Sequence, residues 1–257
     1  RSIEEAIPGA TPLFLLSAHA DVDPRTRGLQ DLAKPAQSVG VGFDEVEALG
    51  REVGDEVVRV AGKLTPSGAA VLGIRRGSTR LRAHAPGPED REAALAALGL
   101  PTGERPTAAD WYRLEGERTE GLPAVERRSR IARVRRYLRN RSARRFAFGE
   151  EPEVEATWLR LGDFRFLGLP LEATVDVGRA WASRTGREAD AVLSIAGGWM
   201  RYLPHRRNFE EPGADHAYEV LQSTFERGAA DALLDLGLRL DAAVGPEAAQ
   251  AAKPVAS

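Results

Sequence analysis

The chain has 257 residues, a formal charge of −2 at pH 7 and 42% hydrophobic residues, a length that suits one large domain or two small ones. The near-neutral charge gives no overall field that selects nucleic acid, and the absence of cysteine excludes disulfides, thiolate catalysis and cysteine-bound zinc. No apolar run reaches the roughly 20 residues that a membrane-spanning helix needs.

The first hundred residues contain alternating strand and helix signals. Residues 11–17 form a short apolar run that predicts a buried strand. Apolar residues at helical spacing predict an amphipathic helix over residues 43–63. Residues 69–75 predict a second strand, residues 81–85 are a weaker strand candidate, and residues 91–100 predict a short helix that a Gly and a Pro stop.

The end of the chain predicts a hairpin followed by alternating elements. Strands are predicted over 153–161 and 164–169, then a helix that ends at Ser183, a strand over 191–196 and a helix over 225–243. Strands that alternate with helices, together with one hairpin, predict an α/β fold: a layered domain with a mixed β-sheet flanked by helices.

The ends of the chain suggest how it is organised. We expect one domain over residues 1–245 and a flexible tail over residues 246–257, which are rich in Ala and Pro. The chain starts at Arg1 and contains a single methionine, Met200. We therefore expect part of the domain to precede residue 1. No signal peptide is visible, and the sequence leaves both the compartment, cytoplasm or export, and the oligomeric state open.

Residues 122–145 are dense in arginine, with Ile131 and Leu138 on one helical face. One interpretation is a basic surface at residues 127–145 for anionic lipid headgroups, which would allow a peripheral membrane contact, or for nucleic acid. The other is a solvated helix that covers the core. We favour the second, and expect no nucleic-acid partner, because the chain as a whole is slightly acidic.

Polar side chains follow three of the predicted strands. Asp21 and Asp23 follow the first strand, Glu172 follows the hairpin, and Tyr202 and Tyr218 follow the last strand. Because strand ends of an open α/β sheet meet at one crevice, we expect these side chains to converge. The alternative is structural: aspartates cap helices and form turns, a glutamate suits the first turn of a helix, and tyrosines cover a core.

The chain lacks several familiar catalytic patterns. No glycine-rich phosphate loop and no Gly-x-Ser-x-Gly elbow is present. None of the histidines shows a metal-binding spacing, and His19, although it lies near Asp21, is a lone loop histidine of the kind that is more often structural than a ligand.

Four short segments carry a family likeness through their order and spacing. The first segment, residues 20–25, has the sequence Ala-Asp-Val-Asp-Pro-Arg, and the second, residues 167–172, has the sequence Leu-Gly-Leu-Pro-Leu-Glu. The third, residues 197–204, is Gly-Gly-Trp-Met-Arg-Tyr-Leu-Pro, and the fourth, residues 217–219, is Ala-Tyr-Glu, which Ser223 follows. In the same order, they resemble four patterns of the neutral, non-lysosomal ceramidases: the loop Gly-Asp-Val-Ser-Pro-Asn, the turn Leu-Pro-Gly-Glu, the segment Asn-x-Tyr-x-x-Tyr and the run Tyr-Glu-x-x-Ser. The chain thus resembles the later part of that family's catalytic domain.

The resemblance implies a zinc-dependent hydrolase that cleaves an N-acyl bond in a small-molecule or lipid amide of the sphingolipid type. It implies that Glu172 and Tyr202 bind Zn²⁺, and that the remaining ligands are histidines, which we expect upstream of this chain. A metal held by one carboxylate and one phenol is poorly bound, so we expect the 257-residue chain alone to be inactive.

The resemblance also implies the other roles in the site. Tyr218 matches a tyrosine that faces the substrate amide, and Asp23 stands where the family has a serine proposed as catalytic, so both are assigned to catalysis. Asp21 and Trp199 are assigned to substrate binding.

An alternative follows from the altered loop. Ala20, Asp23 and Arg25 replace the glycine, serine and asparagine of the family pattern, which is also what a non-catalytic binding homologue would show. Two histidines in the upstream coding sequence would favour the enzyme, and their absence would favour the binding protein.

Overall fold

The structure is a computed structural model that describes residues 1–23, 43–65, 71–83, 151–212 and 217–243, with a few single positions between these ranges. Most of the predicted short helix at 91–100, nearly all of the arginine-rich segment and the tail at 246–257 lie outside the described residues. The chain divides into two compact units, residues 1–15 with 22–70 and residues 16–21 with 71–257.

The smaller unit contains two helices, α1 (Ser2–Ala6) and α2 (Phe43–Ala61). The predicted amphipathic helix is confirmed by α2, which carries two acidic residues in its first turn and Arg59 in its last, as the helix dipole favours. The two helices touch at Gly54, where an added Cβ would lie 2.8 Å from the Cβ of Ser2.

The larger unit is built on a four-stranded sheet with the order β1-β2-β3-β5. Its strands are β1 (Leu72–Arg80), β2 (Glu153–Leu161), β3 (Phe164–Gly168) and β5 (Ala191–Leu193). The first three pair antiparallel and β5 pairs parallel to β3. The predicted mixed sheet is therefore confirmed, although β5 is shorter than the predicted strand over 191–196.

Two further strands form a separate parallel pair, β4 (Glu172–Ala173) and β6 (Tyr202–Leu203). The helices of this unit are α3 (Val175–Thr185), α4 (Tyr218–Gln222) and α5 (Ala229–Ala242), with a 3₁₀ turn at Arg206–Phe209. The predicted helix that follows residues 170–172 and ends at Ser183 corresponds to α3, and the predicted helix over residues 225–243 corresponds to α5.

The core of the larger unit lies between the sheet and the pair α3–α5. Val154, Ala156 and Trp158 alternate along β2 and are fully buried, the pattern of a strand with one face on the core. The helix α5 comes very close to the sheet at Gly237, where an added Cβ would lie 2.8 Å from Leu167 and 2.9 Å from Trp181. Only a glycine fits there without displacing buried side chains.

Two glycines with positive φ lie at the ends of elements. Gly162 adopts a φ of 60° in the turn between β2 and β3, and Gly186 adopts a φ of 70° as the left-handed cap of α3.

The prediction of a buried strand over residues 11–17 is wrong. The segment forms no strand, and Leu13 and Phe14 are 86% and 82% exposed. Only its end is held by β5: the Ser194 amide donates to the Leu16 carbonyl at 2.8 Å, and the Ser17 hydroxyl donates to the Val192 carbonyl at 3.1 Å. An apolar run becomes a strand only when a neighbour offers a ladder of hydrogen bonds, and here the neighbour is a three-residue strand.

The weaker strand candidate at residues 81–85 is reduced to an isolated bridge between Ala83 and Phe225 within the described residues. No helix in the described part of the chain is both long and apolar enough to cross a membrane.

Candidate functional site

The candidate site is built on the pair β4–β6, which brings two distant segments into register. Glu172 pairs with Tyr202 in the parallel ladder. The Glu172 amide donates to the Arg201 carbonyl at 2.8 Å, and the Thr174 amide donates to the Leu203 carbonyl at 3.2 Å. The side chains of Glu172 and Tyr202 are thus neighbours although 30 positions separate them in the chain.

The loop between β5 and β6 makes this pairing possible. Three of its residues have positive φ: Ile195 at 58°, Gly197 at 81° and Arg201 at 71°. A left-handed conformation is rare for an isoleucine or an arginine, and it turns the chain back along the segment before β4. There the Ile195 amide donates to the Leu171 carbonyl at 3.1 Å, and the Met200 amide donates to the Pro170 carbonyl at 2.6 Å.

The carboxylate of Glu172 is the centre of the site. Its side chain is only 15% exposed. The indole Nε1 of Trp199 donates to Oε1 at 2.6 Å, and the imidazole Nε2 of His19 lies 3.8 Å from Oε2. The phenol of Tyr202 lies close enough for the charge of this carboxylate to raise its pKa. One acid therefore contacts an indole and lies beside a phenol and an imidazole, and these three groups come from two segments that are both far from Glu172 in the chain.

The two tyrosines form an aromatic pair beside this carboxylate. The rings of Tyr202 and Tyr218 pack edge to face with centroids 5.4 Å apart. Burial is the main cause that raises the pKa of the Tyr202 phenol, and the charge of Glu172 raises it further. The phenol therefore keeps its proton at neutral pH in the absence of a cation, while Tyr218 is 45% exposed.

The structure gives the two predicted aspartates different positions. Asp21 caps a helix: its Oδ1 accepts a hydrogen bond at 2.7 Å from the amide of Val175, the first residue of α3. Asp23 belongs to the smaller unit, and its catalytic role stays a prediction.

A small cavity of about 140 Å³ lies next to the start of α3. Asp21, Thr174, Asn208 and Glu219 are among its lining residues. Thr174 donates from its hydroxyl to Oδ1 of Asn208 at 2.8 Å, which ties the 3₁₀ turn to the end of β4. The cavity is smaller than the roughly 300–1,000 Å³ of a typical ligand pocket, so it suits only a small group.

A larger cavity of about 880 Å³ lies in the smaller unit, between α1, residues 10–14 and α2. Leu13, Phe14, Val53 and Val57 contribute apolar walls, whereas Glu172 and the groups around it all belong to the larger unit. The size of a cavity thus does not identify the site here; the convergence of polar side chains does.

Sequence reasoning missed one member of the site, His19. A lone loop histidine carries no spacing signal, and its nearness to Asp21 in the sequence was the only hint. The contact depends on the chain passing beside β4, where the amides of His19 and Ala20 both donate to the Ala173 carbonyl, at 2.9 and 3.0 Å.

The donor atoms around Glu172 fit a zinc ion by their chemistry. Among the described residues, no group of three or more His, Cys, Asp or Glu side chains is placed to hold a metal. The set at Glu172 includes a phenol in addition to a carboxylate and an imidazole, and nitrogen and oxygen donors of this kind suit Zn²⁺.

Comparison with known proteins finds a remote likeness in structure only. No protein-family profile matches the chain, and no curated protein matches it. The fold is similar to that of neutral ceramidase from Pseudomonas aeruginosa, with a TM-score of 0.46 and 16% identity over 84% of this chain and 35% of that one. It is also similar to a ceramidase complexed with C2, with a TM-score of 0.43 and 16% identity over 79% and 34% of the two chains.

The chain spans about a third of the length of these solved structures. Identity of 16% and TM-scores below 0.5 are too low to show a shared activity.

Proposed function

We propose that this chain forms part of a zinc-dependent hydrolase that cleaves an N-acyl bond in a lipid or small-molecule amide. The observation that carries the proposal is the position of the Glu172 carboxylate, which lies beside the phenol of Tyr202 through the register of β4 and β6. The order of the ceramidase-like segments in the sequence supports the same reading.

Glu172 and Tyr202 are the residues that would hold the metal. A bound Zn²⁺ supplies an activated water at neutral pH and polarises the amide carbonyl. Glu172 offers a carboxylate that is already oriented, because Trp199 holds its Oε1 at 2.6 Å.

Tyr218 is suited to stabilise the developing oxyanion. It is 45% exposed and packs its ring against Tyr202, so its position is fixed while its hydroxyl stays within reach of a substrate. Removing one such hydrogen-bond donor commonly raises the activation free energy of the reaction by about 3 kcal/mol.

The remaining roles concern substrate and proton transfer. Trp199, 56% exposed, offers a flat apolar surface beside the carboxylate for an acyl chain or headgroup. Asp23 is proposed as a base. Asp21 borders the small cavity of about 140 Å³ and would contact a small polar group of the substrate there.

The test measures bound zinc and hydrolysis of fluorogenic N-acyl amides with short and long acyl chains, in the wild-type protein and in Glu172→Ala. We expect the variant to lose both zinc and hydrolysis. Glu188→Ala is the matched control, because Glu188 is an exposed glutamate outside the site. A wild-type protein that retains no zinc and cleaves no amide would refute the proposal.

A second candidate function is a binding protein without catalysis. The altered loop favours it, since Asp23 replaces the serine of the family pattern and Asp21 already serves as a helix cap. Saturable binding of an N-acyl lipid without any turnover, in a protein that retains zinc, would favour this candidate over the hydrolase.

A further inference from the structure

We infer that His19 is a third protein ligand of the metal held by Glu172 and Tyr202. The inference rests on the proposed function, which assigns only the acid and the phenol of this chain to the metal. It adds an imidazole from the described residues themselves.

The backbone fixes His19 directly beside β4. The amides of His19 and Ala20 share the carbonyl of Ala173, the residue that follows Glu172. The imidazole therefore starts from a position next to the carboxylate, and its side chain is only 30% exposed.

A hydrogen bond sets the orientation of the ring. The Nδ1 of His19 lies 2.9 Å from the Ser17 carbonyl oxygen. A carbonyl oxygen only accepts, so Nδ1 carries the proton and Nε2 faces Glu172. Metal-binding histidines characteristically donate their other ring nitrogen to a carbonyl or carboxylate in this way.

The distance between the two donors suits a shared ion better than a direct hydrogen bond. The Nε2 of His19 lies 3.8 Å from Oε2 of Glu172. A hydrogen bond of this type is about 2.7–3.2 Å long. Two ligands about 2.1 Å from one tetrahedral Zn²⁺ lie about 3.4 Å apart. A movement of a few tenths of an ångström would bring both atoms to bonding distance.

The whole donor set resembles a catalytic rather than a structural zinc site. Within this chain, three protein ligands, one each from His19, Glu172 and Tyr202, leave a fourth position of a tetrahedral ion for water, substrate or a histidine from upstream of residue 1. The Trp199 indole occupies Oε1 of Glu172 at 2.6 Å, so Oε2 is the oxygen that faces His19.

The experiment uses zinc and cobalt(II) binding by the 257-residue chain. Affinity is measured by competition with a chromophoric chelator, and the intensity of the cobalt(II) d–d bands reports tetrahedral coordination. His19→Asn is the informative variant, because the asparagine amide can replace the Nδ1 donor to Ser17 while Nε2 is lost. His205→Asn is the matched control, since the Nδ1 of His205 accepts from the Arg207 amide and asparagine can also accept there.

We expect the wild-type chain to bind one zinc ion, and His19→Asn and Glu172→Gln to bind it about tenfold or more weakly. His205→Asn should bind it with unchanged affinity. Zinc should also raise the melting temperature of the wild type and of His205→Asn, and it should raise that of His19→Asn by a smaller amount. This readout separates loss of a ligand from loss of fold.

Two results would overturn the inference. If Glu172→Gln loses zinc while His19→Asn keeps wild-type affinity and cobalt spectrum, His19 is not a ligand and the proposed hydrolase stands. If wild type, Glu172→Gln and His19→Asn all bind zinc equally, or none binds it, the inference fails. Equal binding also removes the proposed metal site at Glu172, whereas absence of binding leaves the proposed function standing, because that function places further ligands upstream of this chain.

Discussion

The four-stranded sheet and the pair β4–β6 lie in the same unit but are held by different kinds of contact. The sheet buries large apolar side chains such as Trp158, Trp181 and Leu167 completely. The pair has two residues in each strand, and half-buried polar side chains meet around Glu172. The sheet owes its stability to packing, and so do the fully buried Ala173 and Leu203 of the pair. The other half of the pair, Glu172 and Tyr202, depends on single hydrogen bonds and on neighbouring residues with unfavourable backbone angles.

The difference shows where stability and chemistry are placed in this protein. A packed core tolerates no gap, so each side chain in it contributes strongly to the free energy of unfolding. The polar side chains of the pair, Glu172 and Tyr202, lie outside that core and can change with smaller effects on folding, which leaves them available for binding a metal or a substrate.

The largest difference is expected when one tryptophan in each region is replaced by alanine. Trp181→Ala should lower the free energy of unfolding by about 3–5 kcal/mol, because it opens a cavity beneath Gly237. Trp199→Ala should cost no more than about 1 kcal/mol, since the indole is 56% exposed and loses one hydrogen bond. Urea denaturation followed by far-ultraviolet circular dichroism measures both, and equal losses would break the comparison.

A smaller effect is expected where the site meets the helix α3. Asp21→Ala removes the acceptor for the Val175 amide and should cost about 1 kcal/mol of the free energy of unfolding. Asp21→Asn keeps an acceptor oxygen and should retain at least about half of that contribution. The same denaturation experiment compares them. Equal losses in the two variants would mean that the hydrogen bond is not what Asp21 contributes to stability.

The smallest effects concern the loop with positive φ angles, and they have opposite signs. Gly197→Ala should destabilise by about 1 kcal/mol, since φ is 81° and no neighbour lies within 4 Å of the added Cβ. Ile195→Gly relieves a φ of 58° but gains backbone entropy on unfolding, so it should be neutral or stabilise by up to about 1 kcal/mol. Thermal unfolding of the two variants decides the question, and a large loss in Ile195→Gly would show that its side chain outweighs the strain.

Local patterns in the sequence were sufficient for most of the regular elements. The helical spacing of apolar residues predicted α2 and α5, and two strands around Gly162 predicted the hairpin β2–β3. In these cases neighbouring residues supply both the hydrogen bonds and the apolar face, so the information is present in a short window.

The same kind of reasoning failed where long-range contacts decide the outcome. Residues 11–17 have a strand-like composition, but within the described part of the chain only Leu16 and Ser17 are hydrogen-bonded to β5 and the residue after it. The strands β4 and β6 are too short for any periodicity, and they exist only because residues 195–201 turn back along the chain before Glu172.

The sequence by itself determined the α/β class, the hairpin and the choice of Glu172, Tyr202, Trp199 and Tyr218 as candidates. The tertiary structure alone decided that Tyr202 and Trp199 lie beside the carboxylate of Glu172, that Asp21 caps α3 and that His19 faces Glu172. The reason is physical: local patterns record which face of an element is apolar, but a contact between residues 153 positions apart depends on how the intervening chain folds.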